Sequence, residues 1–271
     1  MKTCIFTVIK DEQEYIEDFI RYHINLGVDT LFVFEDIDSS SHKEITDKYD
    51  QVSLHSVSEL VPIDKINELK KTSEFQRQYI KKGLIWIRDN YDYDWCFSLD
   101  CDEYITTTEP FPSLLDDYSK HDAIMIQWKN FGASGHIKKP LHDKPIWDIF
   151  TKECEYSVED KKRCNCTKMC FNMKKLEERF IFGNHTALCN YVKTDFTWDR
   201  GRDVFDRMYL RHYITKSWEE YVHKLKVRGM MCKEHRGYDD FFEMNTDMVD
   251  MKEELIKEAD IYIKENKKNY E

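Results

Sequence analysis

The first hundred residues alternate between short apolar runs and amphipathic segments, and this alternation restricts the fold more than any other feature of the sequence. Apolar runs at 4–9, 30–34 and 52–57 are typical of buried β-strands. Between the first two, apolar residues recur at helical spacing from Tyr15 to Leu26, and Gly27 follows as a stop signal. Strands that alternate with helices at this spacing predict right-handed crossover connections and a mostly parallel sheet.

Further helices and strands are predicted along the chain. Asp11 and a capping box at 41–44 are helix-start signals, and the amphipathic segment 66–88 predicts one long helix. Beyond residue 104 the alternation of strand and helix patterns becomes less regular. Strands are predicted at 124–128, 168–173 and 180–182, a second capping box opens a helix over 217–227, and 247–267 reads as a terminal surface helix.

The most informative short motif is an apolar run that ends in three carboxylates. Residues 95–99 predict a buried strand, and Asp100, Asp102 and Glu103 follow it. In open α/β folds, ligands bind at the carboxyl ends of the strands. Like charges repel there unless a cation shares them, and hard divalent metals prefer oxygen ligands. The motif therefore favours a Mg²⁺ or Mn²⁺ site that neutralises a diphosphate; the alternative is a solvated acidic turn.

Composition excludes several classes of protein. Of 271 residues, 41% are hydrophobic and 34% are charged, as in folded globular proteins. A net charge of -11 argues against sequence-independent nucleic-acid binding, because no basic excess is available to displace counterions. No apolar run is long enough to span a membrane, and the N-terminus lacks a signal-peptide pattern.

The nine cysteines follow no disulfide framework, which favours reduced thiols in a cytoplasmic protein. Four of them cluster at Cys154, Cys164, Cys166 and Cys170. Structural zinc sites usually present paired Cys-x-x-Cys hooks, and this cluster has none. We therefore interpret these residues as ordinary thiols.

Four motifs occur in a fixed order over about residues 3–230. They comprise Lys10-Asp11-Glu12 with Tyr22-His23 and Gly27-Val28; residues 100–103; residues 128–136; and residues 212–217 followed by Glu220, Lys224, Arg228 and Gly229. Together they resemble the motifs of glycosyltransferases of the GT-A fold, in the family-2-like group that also resembles family 92. The chain departs from that pattern at Asp11, where Asn is usual, and at Glu35-Asp36, where Asp-Asn is common.

The resemblance implies a GT-A-type α/β fold, with a mostly parallel sheet flanked by helices. We expect one domain over 1–271. Residues 1–104 would form the nucleotide-binding half and 105–230 a looser acceptor-side half, followed by a C-terminal helical extension over 231–271.

The resemblance also implies a metal site. Asp102 would be a direct ligand to Mn²⁺ or Mg²⁺, and Asp100 would bind the ribose or the metal. His212 is the candidate third ligand, with His185 as its competitor. Lys216 follows His212 by about one helical turn, so the two could face the same diphosphate leaving group.

Three more carboxylates are candidates for the nucleotide. Glu12, Glu35 and Asp36 follow the first two predicted strands, where they could accept hydrogen bonds from a base N–H or from ribose hydroxyls. The alternative for Glu12 is stabilisation of the first turn of a helix.

The segment 128–136 is placed by the resemblance on the acceptor side. Trp128 would offer an apolar face to a sugar ring, with Ser134 and His136 as polar groups. An inverting reaction needs a base, for which Asp195 and His136 are the candidates, whereas a retaining reaction needs none. Lys224 and Arg228 would bind an acceptor phosphate or lie solvated at the surface.

These features predict a metal-dependent hexosyltransferase. It would move a sugar from a UDP-sugar to a carbohydrate or lipid-linked glycan acceptor, in polysaccharide or glycoconjugate synthesis. We expect a cytoplasmic protein with no transmembrane span, which contacts a membrane peripherally where the acceptor is lipid-linked. The alternatives are a metal-dependent phosphoesterase or nucleotidyltransferase, and a non-catalytic nucleotide- or sugar-binding protein.

Overall fold

A computed structural model describes residues 1–70, 74–154, 166–182, 187–188, 192–193, 207–228 and 237–266. Two compact units divide the chain. The first comprises 1–128 and 165–211, and the second comprises 129–164 and 212–271. Within the described ranges, no helix combines the length and apolar character needed to cross a bilayer.

The first unit is built on one large β-sheet. In chain order the strands are β1 (Thr3–Ile9), β2 (Thr30–Glu35), β3 (Val52–Ser56), β4 (Trp95–Ser98), β5 (Glu103–Thr107), β6 (Ala123–Asn130), β7 (Thr167–Asn172), β8 (Ile181–Phe182), β9 (Ala187–Leu188), β10 (Val192–Lys193) and β11 (Met208–His212). Their order in the sheet is β3-β2-β1-β4-β7-β6-β11-β5, with β10 also beside β6, while β8 and β9 form a separate antiparallel pair.

The predicted α/β fold with a mostly parallel sheet is confirmed. Strands β3, β2, β1 and β4 pair in parallel, as does β10 with β6. Strand β7 lies between β4 and β6 and is antiparallel to both. Because β1 continues to β2 on one side and borders β4 on the other, the strand order reverses at β1, where parallel sheets open a ligand-binding crevice.

Helices flank this sheet or lie in the second unit. The helices are α1 (Ile16–Leu26), α2 (Lys43–Thr46), α3 (Ile63–Leu69), α4 (Glu74–Asn90), α5 (Phe111–Asp117), α6 (Ile146–Ile149), α7 (Trp218–Val222), α8 (Tyr238–Met244) and α9 (Lys252–Asn266). Helix α1 ends as predicted at Gly27, whose φ of 101° is favourable only for a residue without a Cβ.

Three helix predictions are wrong in detail. The segment expected to form one helix over 66–88 contains two, α3 and α4. No capping box forms at 41–44, because the N-cap of α2 is His42 and the Ser41 hydroxyl accepts a hydrogen bond from the Lys43 N–H instead. The N-cap of α1 is Tyr15, not Asp11.

The capping box at Ser217 is confirmed and opens α7, which runs to Val222 and continues as a π-helical turn over 223–228. The terminal helix begins later than predicted. Residues 246–251 form a 3-10 turn, and α9 starts at Lys252.

Each unit has its own apolar core. In the first, the sheet packs against α3 and α4 through side chains that include Phe6, Phe34 and Leu84. Helix α4 approaches β1 so closely that a Cβ at Gly83 would overlap the Phe6 ring. In the second unit, Trp218 packs against Phe241 and neighbouring side chains of α8 and α9.

Candidate functional site

The acidic motif lies where the sequence analysis places it, directly after a buried strand. All four residues of β4 are buried, and the strand is enclosed by β1 on one side and β7 on the other. The chain then turns through Asp100 and Asp102 into β5, which begins at Glu103. The three carboxylates therefore follow the carboxyl end of a central strand, next to β1.

Two reciprocal hydrogen bonds close this turn. The Glu103 N–H donates to the Asp100 carbonyl oxygen at 3.1 Å, and the Asp100 N–H donates to Glu103 Oε2 at 2.9 Å. The Glu103 side chain is fully buried. Its carboxylate is thus folded back into the turn and has a fixed orientation.

A buried lysine from β7 completes the cluster. Lys168 is 4% exposed, and its Nζ lies 2.6 Å from Asp100 Oδ2 and 3.7 Å from Glu103 Oε2. The register of β7 against β4 pairs Met169 with Ser98, so Lys168 lies beside the residue that starts the acidic turn. Lys168 was not predicted as a site residue, because 68 residues separate it from Asp100 in the chain.

The charges of this cluster are strongly coupled. Burial by itself lowers the pKa of Lys168, but the carboxylates of Asp100 and Glu103 outweigh burial and raise that pKa above its ordinary value. Burial raises the pKa of Glu103 well above its usual range, and the Lys168 ammonium opposes that shift. Lys168 is consequently a permanent cation of the site.

The carboxylates of the turn have the chemistry of a metal site. Asp102 is 8% exposed. Glu103 Oε1 is buried and has no hydrogen-bond partner among the described residues. Buried acceptors are nearly always satisfied, so an unpartnered carboxylate oxygen marks a place for a further ligand. Hard divalent cations take oxygen ligands of this kind.

His212, the predicted third ligand, is positioned in the second unit by an amide. The imidazole is 5% exposed, and its Nδ1 lies 2.9 Å from Asn130 Oδ1. Because the amide oxygen can only accept, Nδ1 carries the proton and Nε2 is the atom that can bind a metal. His212 thus offers Nε2 as a donor atom that suits a divalent ion. Asn130 was not predicted, although it lies in the motif at 128–136.

The predicted nucleotide carboxylates are engaged in internal contacts. Glu35 Oε1 accepts hydrogen bonds from the His42 backbone N–H (2.5 Å) and from Nδ1 of its ring (2.8 Å). His42 Nε2 accepts the Glu12 N–H at 3.0 Å, so the ring joins the loops that follow β1 and β2. Asp36 is 9% exposed and bonds Lys70 Nζ at 2.5 Å. The structure therefore brings Glu12 and Glu35 together through His42, a residue that the sequence analysis did not select.

The acceptor-side motif forms a tightly bonded loop. The Ser134 hydroxyl accepts the Lys152 N–H at 2.9 Å, and the His136 carbonyl oxygen accepts the Trp218 N–H at 3.1 Å. The His136 ring packs edge-on against Phe150. Trp128 is only 7% exposed, so the prediction that its ring offers a face to a sugar is wrong.

Lys216 immediately precedes the capped start of α7, in a left-handed conformation with a φ of 53°. The other two candidates, Asp195 and His185, lie outside the described residues. Their assigned roles remain predictions.

No protein-family model and no curated protein matches the chain. Several solved structures are similar to it. The 4-diphosphocytidyl-2C-methyl-D-erythritol synthase from Anaerococcus prevotii matches 64% of this chain and 70% of its own, with 12% identity and a TM-score of 0.35. HddC from Yersinia pseudotuberculosis matches 68% of this chain and 84% of its own, with 6% identity and a TM-score of 0.37.

A third similar structure is glucosyl-3-phosphoglycerate synthase from Mycobacterium tuberculosis, in complex with Mn²⁺, uridine diphosphate and phosphoglyceric acid. It matches 65% of this chain and 57% of its own, with 14% identity and a TM-score of 0.34. With TM-scores below 0.5, these similarities carry no conclusion about the function of the chain.

Proposed function

We propose that this protein is a metal-dependent glycosyltransferase that moves a hexosyl group from a UDP-sugar to a carbohydrate or lipid-linked glycan acceptor. The observation that carries the proposal is the acidic turn after β4, in which Asp102 and Glu103 are buried. Glu103 Oε1 has no hydrogen-bond partner within the described part of the chain. Such a donor set, at the carboxyl end of a central strand, suits a divalent cation and the diphosphate that the cation would neutralise.

We assign His212 as the third ligand of this metal, together with Asp102 and Glu103. The assignment follows the resemblance of the motif at 212–217, in which His212 is the candidate ligand. Its imidazole is 5% exposed, as expected of a side chain that is held in place.

When bound, the metal would act as a Lewis acid on the leaving diphosphate. Around it, Asn130 holds the imidazole of His212 in the tautomer that leaves Nε2 as the ligand atom. Lys216 is assigned as a second cation that stabilises the negative charge developing on the leaving group.

We assign the nucleotide to the loops that follow β1 and β2. Glu12, Glu35 and Asp36 would accept hydrogen bonds from the base and ribose there, and Asp100 would contact the ribose. The contacts of His42 support this assignment, because they fix the two loops against each other. Loops that are already ordered lose less conformational entropy when a ligand binds.

For an inverting reaction, the acceptor hydroxyl must lose its proton to a base. His136 is our first candidate, because the bonded loop around it and the contact with Phe150 hold its ring in place. Asp195, which lies outside the described residues, is the other candidate.

Calorimetry of UDP binding in Mn²⁺ and in EDTA tests the proposal. We expect UDP to bind only with Mn²⁺, and Asp102→Asn to cost nearly all turnover and much of the metal affinity, because it removes a charged ligand. Asp116→Asn, an exposed carboxylate on α5, is the matched control and should bind as the parent does. Equal UDP–Mn²⁺ affinity in the Asp102→Asn variant contradicts the metal assignment.

Product analysis with a panel of nucleotide sugars separates the alternatives. Transfer of the sugar to a glycan supports the proposal. Release of phosphate or a nucleoside monophosphate without sugar transfer would indicate a phosphoesterase or nucleotidyltransferase. Tight binding with no turnover of any donor would indicate a binding protein.

A further inference from the structure

We propose that Lys168 determines which carboxylates of the acidic turn bind the metal: its ammonium holds Asp100 and leaves Asp102 and Glu103 as the ligands from this turn. This inference rests on the metal site of the proposed function. It also changes one expectation. Asp100 was predicted to bind the ribose or the metal, and under this inference it contacts the nucleotide but not the metal.

The position of Lys168 is fixed by the sheet. Its strand, β7, pairs with β4 as far as Met169 and with β6 on the other side, where Lys168 itself pairs with Ile126. The backbone at Lys168 therefore cannot shift without disturbing the pairing with β6. The side chain is 4% exposed, and its Nζ lies 2.6 Å from Asp100 Oδ2. Lys168 is therefore held in the site, unlike a surface lysine that can swing into water.

The energetics favour keeping this ion pair intact. An ammonium buried without a partner is strongly unfavourable, and losing Asp100 to a metal would remove the 2.6 Å partner of Lys168. Among the described residues, the ion pair that would then remain to Lys168 is the longer, 3.7 Å contact with Glu103. A metal at Asp102 and Glu103 leaves the 2.6 Å ion pair between Lys168 and Asp100 in place. It would also satisfy Glu103 Oε1, the atom that has no hydrogen-bond partner among the described residues.

Lys168 has a second consequence for the metal-free protein. Three carboxylates within four residues repel one another, and the buried ammonium offsets part of that repulsion before any metal arrives. Its charge also opposes the approach of another cation. The residue thus keeps the turn folded without metal, and it weakens metal binding relative to a site that lacks the ammonium.

A double-mutant cycle with Mn²⁺ alone tests the inference, with affinity measured by electron paramagnetic resonance and no nucleotide present. We expect Asp100→Asn to change the Kd for Mn²⁺ by less than about threefold in the parent. Lys168→Met should tighten Mn²⁺ binding by about tenfold or more, because it removes a nearby positive charge. In the Lys168→Met background Asp100 is released, so adding Asp100→Asn should now weaken binding by about tenfold.

The matched control is Lys174→Met, which removes a half-exposed lysine just beyond the end of β7 that pairs with Asp92. It should leave the Kd for Mn²⁺ unchanged. A thermal melt in EDTA and in saturating Mn²⁺ supplies the second readout. Lys168→Met should lower Tm more in EDTA than in Mn²⁺, whereas a lysine with only a packing role would lower both equally.

Several outcomes overturn the inference. If Asp100→Asn in the parent weakens Mn²⁺ binding tenfold or more, Asp100 is a ligand despite its ion pair; this measurement stands even if Lys168→Met does not fold. If the parent binds Mn²⁺ but the two substitutions are additive, Lys168 does not select ligands, and the proposed function is untouched. If the parent binds no divalent metal, both proposals are wrong.

Discussion

At the scale of single residues, a buried histidine makes the stability of the protein depend on pH. His23 is fully buried in α1; its Nδ1 donates to the Phe19 carbonyl oxygen at 2.8 Å, and its Nε2 accepts the Ile105 N–H at 3.3 Å. Burial lowers the pKa of the imidazole from 6.5 to about 3. The folded protein therefore keeps His23 neutral at pH values where the unfolded chain protonates it.

The sign of the effect follows from that difference. Between pH 6.5 and about 3 the unfolded chain binds one proton more at His23, so stability falls as the pH is lowered through this window. At pH 5 we expect a loss of about 2 kcal/mol relative to neutral pH from this residue. Urea unfolding at pH 7 and pH 5 measures this difference in the free energy of unfolding.

The comparison variant is His23→Gln, which cannot be protonated. It should be less stable than the parent at both pH values, but its difference between pH 7 and pH 5 should be smaller by about 2 kcal/mol. Exposed His142→Gln is the control and should keep the full difference. An undiminished pH dependence in His23→Gln would show that other groups cause it.

The residue scale also shows why the candidate site was only partly predictable. Asp100, Asp102 and Glu103 are adjacent in sequence, so their clustering is visible without a structure. Lys168 and His42 reach their partners through strand pairing and loop packing, and single lysines and histidines carry no local signal of such contacts. His23 belongs to one of the motifs that resemble the glycosyltransferase group. In the structure, however, its observed contacts are those of a buried structural residue.

At the scale of elements, the packing of α4 on β1 depends on the absence of one side chain. The ring of Phe6 occupies the position that a Cβ at Gly83 would need. In an exposed helix Gly→Ala stabilises by about 1 kcal/mol, but here the ring and the helix would have to move apart in a close-packed core. We expect Gly83→Ala to destabilise the protein by about 1–3 kcal/mol.

Urea unfolding of Gly83→Ala and of the double variant Gly83→Ala/Phe6→Leu measures this packing. The smaller Leu side chain makes room for the added methyl group, so Gly83→Ala should cost less in the Phe6→Leu background than in the parent. If Gly83→Ala stabilises the parent, the helix lies further from β1 than the structure places it.

Local periodicity accounts for the elements that could be predicted. β1, α1, β2, β3 and β4 each carry a complete apolar pattern and a clear boundary, and all five are present. β5 was missed because it begins at Glu103, within the acidic motif, where a charged residue normally signals a loop. β7 inserts between β4 and β6, antiparallel to both. Hydrophobic periodicity does not determine which distant segments pair, so this arrangement could not be predicted from it.

At the scale of the whole molecule, ligand binding should be measurable as stability, because a ligand that binds only the folded state raises the free energy of unfolding. For the parent we expect Mn²⁺ to raise Tm and UDP to raise it further in the presence of Mn²⁺. At a ligand concentration a hundred times Kd, the gain is about 2.7 kcal/mol. UDP should give no increase in EDTA.

Two substitutions in the second unit should separate the Tm increase caused by Mn²⁺ from the further increase caused by UDP. His212→Ala removes a proposed metal ligand, so it should reduce the Mn²⁺ shift and, with it, the UDP shift. Lys216→Gln should keep the Mn²⁺ shift, reduce the UDP shift and slow sugar transfer about a hundredfold or more, because a cation on the leaving group stabilises the transition state. Lys138→Gln, an exposed lysine of the same unit, is the control. Loss of the Mn²⁺ shift in Lys216→Gln, or its retention in His212→Ala, would contradict these roles, and the second result would make His185 the ligand to test next.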